Sequence, residues 1–244
     1  MGLLARLGNV VAAPGDVFDH LRHAPSSVAN WLVPVAIFVL LSWAAATVLL
    51  SQDWAKQQMH ELQMKGLQQQ VDQGKMTQEK YNQASAAMEK MAGITLAIQW
   101  YGGAAAVALI SPFFWAFILW LFGSKFLGGA FTFMKALEAA SLPYVIGCLG
   151  VIVETLIRLV LGNIFAGLSP VLLLGTFDST NPLHNILPLL SVFALWELAV
   201  RSLGLATLAR RSFATGAAVV FGAWVLVYGT MFGIGWAVQK AFAG

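Results

Sequence analysis

Charge is scarce in this chain. Asp, Glu, Lys and Arg make up 10% of it, while 59% of its 244 residues are hydrophobic and its mean hydropathy is +0.74. An ordinary soluble domain carries roughly 25% charged residues. So little polar surface cannot coat a water-soluble globule, and the composition places the chain in a bilayer. Cysteine is nearly absent: Cys148 is the only one, which excludes an intramolecular disulfide. The four histidines, His20, His23, His60 and His184, fall outside the apolar runs, so no intramembrane imidazole is expected to activate a water. HExxH, GxSxG, P-loop and GxGxxG patterns are missing, and the expectation is a protein that is not an enzyme and has no cofactor and no metal. The net charge of +3 comes from a few scattered basic residues, which read as topology signals and not as a nucleic-acid surface.

What is present is apolar length. A hydrocarbon core of about 30 Å takes roughly 20 helical residues to cross, and five runs qualify: 32–50, 94–122, 139–161, 186–208 and 217–238. The fold class expected is an all-α integral membrane protein with five transmembrane helices. The first run offers small residues in "WAAATV" that suit a signal peptidase, but the run continues past them, which favours a retained anchor. "MGLLAR" has Arg6 where a myristoylation signal needs Ser or Thr. Short connections carry Lys125, Lys135, Arg210 and Arg211 on one side, with Arg6 and Arg22 in the N-terminal segment, whereas residues 162–185 hold no Lys or Arg and the C-terminal tail holds only Lys240. The positive-inside rule then puts the N terminus in the cytoplasm and the C terminus outside.

Residues 1–31 are expected to be a cytoplasmic amphipathic segment. Leu3, Leu4, Leu7, Val10 and Val11 share one face before Pro14, and Val17, Phe18 and Leu21 share another after it, as suits helices lying among lipid headgroups. Asp16, Asp19, His20 and His23 also share a helical face, which reads as a solvated face because no third histidine or cysteine accompanies them.

Between the first two runs, residues 51–93 are polar and glutamine-rich, with five lysines matched by five acidic residues. Trp54, Met59, Leu62, Leu67 and Val71 form one stripe, "DQGKMT" interrupts it, and Tyr81, Ala84, Met88 and Met91 form a second after a Thr77 cap. An extracytoplasmic helical hairpin is expected, extending both flanking spans by roughly 30 Å at 1.5 Å per residue. Such a hairpin serves as a spacer or as a surface for a protein partner or a second copy. Trp31, Trp54, Trp100 and Trp236, near span ends, read as interface anchors.

Two spans nevertheless carry charge. Glu197 sits about 15 Å into the fourth run at 1.5 Å per residue, near the midplane, with Arg201 one turn on; Glu154 and Arg158 repeat the spacing in the third. Glu before Arg at i+4 is the favourable order, and each pair can neutralise itself. A lone midplane charge costs at least about 2.5 to 3.5 kcal/mol, so pairing or burial is close to obligatory. Glu154, Arg158, Glu197 and Arg201 are therefore expected to form an intramembrane polar clamp; intramembrane charges also suit an ion or substrate path, but a self-neutralised pair is poorly available for one. Small residues follow the same faces: Pro143, Gly147 and Gly150 lead to Glu154, Ala194 and Gly204 flank Glu197 and Arg201, and Gly229 and Gly233 form a GxxxG in the last run. Gly147, Gly150, Gly204, Gly229 and Gly233 are expected to bring the third, fourth and fifth spans into close contact.

The segments "APGDVFDHLRHAPSS", "ALEAASLPYVIG" and "LWELAVRSLGLATLARRSFATGAAVV", in this order around five spans, resemble the Yip1 family in its bacterial form. The resemblance covers a membrane domain over residues 32–238, with 51–93 the divergent part. It implies a polytopic protein of the bacterial inner membrane with a cytoplasmic N terminus and a periplasmic C terminus, without enzymatic activity, acting as a membrane-organising or trafficking-type adaptor or scaffold. Eukaryotic members contact small GTPases of the Rab type, but their "DLYGP" element and long N-terminal domain are missing from this sequence, so that role is not carried over. The alternative is a small transporter or lipid-handling protein that uses the Glu/Arg pairs. Expected partners are membrane lipids and a protein or second copy met through residues 51–93 or the small-residue faces.

Overall fold

The computed structural model describes residues 1–174, 177–178 and 181–241, and the side chains of 92, 235, 236 and 238–241 lie outside the description, so Trp236 and Lys240 do as well. Helices α1 (Leu3–Ala12) and α2 (Pro14–His23) are separated by Ala13, because Pro14 opens α2 without an N–H to continue the helix before it. Then come α3 (Ala29–Leu50), α4 (Asp53–Asp72) and α5 (Gln78–Ala97). A π-helical turn at Ile98–Gly102 joins α5 to α6 (Gly103–Trp120), and a second, at Leu121–Phe126, ends it. Helices α7 (Phe133–Ser141) and α8 (Tyr144–Leu161) are divided at Leu142–Pro143. After the short α9 (Pro182–Ile186) come α10 (Val192–Ala209) and α11 (Phe213–Ala241).

Among the described residues, five helical stretches are long and apolar enough to cross a membrane: Ala29–Leu50, Gly93–Phe126, Phe133–Leu161, Val192–Ala209 and Phe213–Ile234. The fold is that of an all-α integral membrane protein. The fourth stretch starts at Val192 and not at Ile186, since Pro188 breaks the helix and Leu187–Leu190 tighten into a 3₁₀ turn. Only α5 runs without interruption into a span. On the other side Gln52 is extended, with φ −90° and ψ 128°, so α4 starts anew at Asp53 and does not prolong α3 as its sequence suggests. The break lets Ala55 and Met59 of α4 pack with Leu96 and Ile164 in a small second core, joined by Trp54 and Trp100. Gly74, in a left-handed conformation at φ +67°, turns the chain between α4 and α5, and Thr77 caps α5 by accepting from Lys80 N at 3.3 Å.

The main core lies at the end of the bundle that carries α1 and α2. Their apolar faces do not lie among headgroups as expected: Leu7, Val10, Val17, Phe18 and Leu21 are buried in one cluster with Ala136, Leu137, Leu205 and Leu208 of α7 and α10. Gly204 permits this docking, since a Cβ there would lie 3.1 Å from the Phe18 ring. Most of the amphipathic face is satisfied by protein, and Leu4, at its edge, is left exposed. Arg22 donates to the Thr207 carbonyl at 3.3 Å near the end of α10, and Arg211 donates to the Leu127 carbonyl at 3.0 and 2.8 Å where α6 ends. Arg22 thus joins the Arg210 N–H on the Thr207 carbonyl, and Arg211 supplies the donor for the Leu127 carbonyl just past the π-helical turn.

Candidate functional site: a polar cavity between the spans

The helices diverge away from that core. Residues of α3, α6, α8, α10 and α11 there surround a cavity of about 730 Å³. Its wall is mostly aromatic and aliphatic, with Phe38, Phe114, Trp115, Phe193, Trp224 and Tyr228 among the lining, and its polar groups are Ser111, Tyr144, Glu154, Ser191, Glu197 and Arg201. Helices α6 and α11 barely touch along this side. Ile110 and Met231 line the cavity and are yet 68% and 63% exposed, so the space opens outward between the two helices. In a bilayer that opening faces acyl chains.

Glu197 and Arg201 are joined by a 2.6 Å bond from an Arg201 terminal nitrogen to Glu197 Oε2. Arg201 Nε donates to the Ala140 carbonyl at 3.2 Å, and the guanidinium lies over the rings of Trp115 and Tyr144, 5.4 and 5.5 Å from their centroids. Ala140 lies in the last turn of α7, where the break before α8 leaves its carbonyl without a helical partner, and Arg201 donates to it. The arginine is held on several sides, and its side chain is 5% exposed against 16% for Glu197. Gly147 gives Glu197 its room: a Cβ at that position would collide with Glu197 Oε1 and lie 3.0 Å from Phe38.

The second pair is built from different parts. Arg158 reaches Glu154 Oε2 at 3.1 Å and donates from Nε to the Ala166 carbonyl at 3.1 Å, while Ser191 donates to Glu154 Oε1 at 2.7 Å. Ser191 is the residue before α10, so Glu154 of α8 is tied to the start of the helix that carries Glu197. Gly150 gives close approach here, with an added Cβ only 3.0 Å from Phe193. Glu154, Glu197 and Arg201 all line the cavity, whereas Arg158 does not. The sequence spacing puts each pair on one helix but carries no sign that both face a shared space.

Gly229 and Gly233 are not brought into any close packing. Neither would place a Cβ within 4 Å of another atom. Helix α11 meets α10 mainly near its start, where Gly216 lies against the backbone of Ser202 so closely that a Cβ would collide with its carbonyl oxygen. Past that crossing α11 lines the cavity with Trp224 and Tyr228 and exposes Val225, Leu226 and Met231.

One polar cluster has no counterpart in the sequence reading. Glu138 of α7 is completely buried; its Oε1 accepts from the Ser27 N–H and from Asn30 Nδ2 at 2.9 Å, and its Oε2 pairs with Lys135 Nζ at 2.9 Å. Asn30 Oδ1 accepts from Arg6 at 2.8 Å. The chain Arg6–Asn30–Glu138–Lys135 joins α1, α3 and α7. The Lys135/Glu138 spacing of three in "FMKALEAAS" was its one legible sign. On α2, Asp19 pairs with Arg22 at 3.1 Å, and His20 Nε2 meets the N-terminal amine at 2.9 Å.

Five spanning helices around a partly polar cavity define a polytopic helical membrane protein. Residues 8–234, nearly the whole chain, match the family model of the Yip1 domain, and the chain belongs to that family. No curated protein and no solved structure matches it.

Proposed function

We propose that this Yip1-domain protein is a non-enzymatic membrane protein that accommodates an amphiphile between its spans. The observation that carries this reading is the cavity: about 730 Å³, aromatic-walled, with a few convergent polar groups and an outward opening between α6 and α11. Volumes of a few hundred to a thousand Å³ with that lining are typical of small-molecule sites. Glu154, Arg158, Glu197 and Arg201 serve as a polar clamp that holds α8 and α10 at the spacing the cavity needs. The test is native mass spectrometry after mild delipidation. The wild-type protein should retain about one amphiphile per chain, and Ala194→Trp, which fills the cavity from α10 without touching a charge, should lose it. Equal retention by both would overturn the reading.

A membrane-organising adaptor is the second reading, and the base of the α4/α5 pair favours it. The Gln58 amide donates to the Gly162 carbonyl at 2.8 Å and accepts from the Ile164 N–H at 3.0 Å, which fixes α4 against the loop after α8 instead of leaving it to swing. A helical pair held at a set angle suits presentation to a protein partner or a second copy. Crosslinking in native membranes, with and without residues 60–90, checks this: a partner that survives the deletion contradicts it. The proposed location is a bacterial inner membrane with the N terminus in the cytoplasm and the helical pair and C terminus in the periplasm. Its support is that Arg6, Arg22, Lys135 and Arg211 are linked to the α1/α2 end of the bundle by their own hydrogen bonds.

A further inference from the structure

The cavity's charged groups are not equally available, and the difference selects among head groups. We infer that the cavity takes the alkylammonium end of an amphiphile and rejects anionic heads; this rests on the amphiphile reading above. Two carboxylates line the space against one guanidinium. That guanidinium is occupied by Glu197, the Ala140 carbonyl and the Trp115 and Tyr144 rings, and is almost wholly buried. A phosphate or carboxylate entering the space would find its one cation already paired with Glu197, and two glutamates facing it. An ammonium finds acceptors instead. Glu197 keeps Oε1 on the Gly147 side, away from its bond to Arg201, and Glu154, bonded through Oε1 to the Ser191 hydroxyl and through Oε2 to Arg158 at 3.1 Å, lines the space while its arginine does not. The Phe114, Trp224 and Tyr228 rings supply faces on which a cation is further stabilised. Unlike charges attract far more strongly where water is excluded than in bulk solvent, so this bias decides which head groups enter.

The same ammonium chemistry has two sources, the ethanolamine head of a phospholipid and a small amphiphilic amine. The experiment uses the intact protein in micelles of an uncharged maltoside detergent and counts molecules retained on native mass spectrometry. The probes are dodecylamine, dodecanoate, phosphatidylethanolamine and phosphatidylglycerol, each offered at the same concentration. The wild type should retain dodecylamine at least tenfold over dodecanoate. Retention of phosphatidylethanolamine over phosphatidylglycerol assigns the site to the lipid; retention of dodecylamine alone assigns it to a small amine. Glu154→Gln and Glu197→Gln, each made separately so that one well-folded variant suffices, should bring the preference near unity while the chain is still retained. A preference for the anion, or a tenfold preference untouched in a well-folded glutamine variant, overturns the inference and leaves the amphiphile reading standing. No retention of any probe overturns both.

Discussion

Glu138 and Glu197 are both glutamates among apolar helices, and they are used in opposite ways. Glu138 has no exposed surface and is bonded from three sides, by the Ser27 N–H, Asn30 and Lys135, which between them belong to two segments far apart in sequence. Glu197 has one partner on its own helix and a side open to a cavity. A buried carboxylate whose acceptors are all taken is a joint; one with spare capacity facing open space is a wall. Burial and the partners of each oxygen both separate the two roles.

The contrast is sharpest when a joint is removed. Glu138→Ala strands Lys135 and Asn30 in the core, and breaking a buried pair in this way costs about 3–5 kcal/mol. The expected result is loss of monodisperse protein on gel filtration in mild detergent; wild-type behaviour would mean that the cluster is dispensable. The apolar parts of the two ends should differ in the same sense. Phe18→Ala, in the α2/α7/α10 core, should cost about 3 kcal/mol or more, while Phe114→Ala, on the cavity wall and already partly exposed, should cost about 1 kcal/mol or less. Comparing both melting temperatures in the same detergent checks this, and equal losses would erase the distinction between a tight end and an open one. Next comes helix crossing: Gly216→Val drives a side chain into the Ser202 backbone and should cost about 1–3 kcal/mol, whereas Gly229→Val should stay within about 0.5 kcal/mol. A damaging Gly229→Val would show that the GxxxG is packed against something, such as a second chain. The smallest effect is expected from Arg211→Ala, about 1 kcal/mol from its lost bonds to the Leu127 carbonyl, read as a small drop in melting temperature.

Local features of this fold were legible before any coordinates. Apolar runs of the right length announce spans, because an unpaired peptide group in hydrocarbon is too costly for anything but a helix there. An i,i+4 spacing suffices for Glu197 to meet Arg201, since a helix fixes where its own side chains go. Legibility ends where two distant segments must be brought together. Ser27 and Glu138 lie 111 residues apart, and nothing local marks either as the other's partner. The faces of α1 and α2 were legible as amphipathic, but amphipathicity is the same signal whether the apolar face meets lipid or protein; only the fit of Phe18 over Gly204 decides it. The GxxxG of α11 is the reverse case. Small residues permit close approach without requiring it, and the crossing uses Gly216 instead. The cavity was equally hidden, because it is a gap among five helices and no single helix encodes it.

The bond from Arg22 to the Thr207 carbonyl spans 185 positions of chain. A ribosome adding about 5–20 residues per second takes roughly 10 to 40 s to cover that distance. Throughout that interval the first two helices have been made and the helix that receives them has not. The earliest part of the protein is thus among the last to settle, and its docking marks the moment at which the penultimate span has arrived. An unfinished or mis-threaded chain leaves Phe18 and Leu21 as an uncovered apolar face, and a completed one withdraws it.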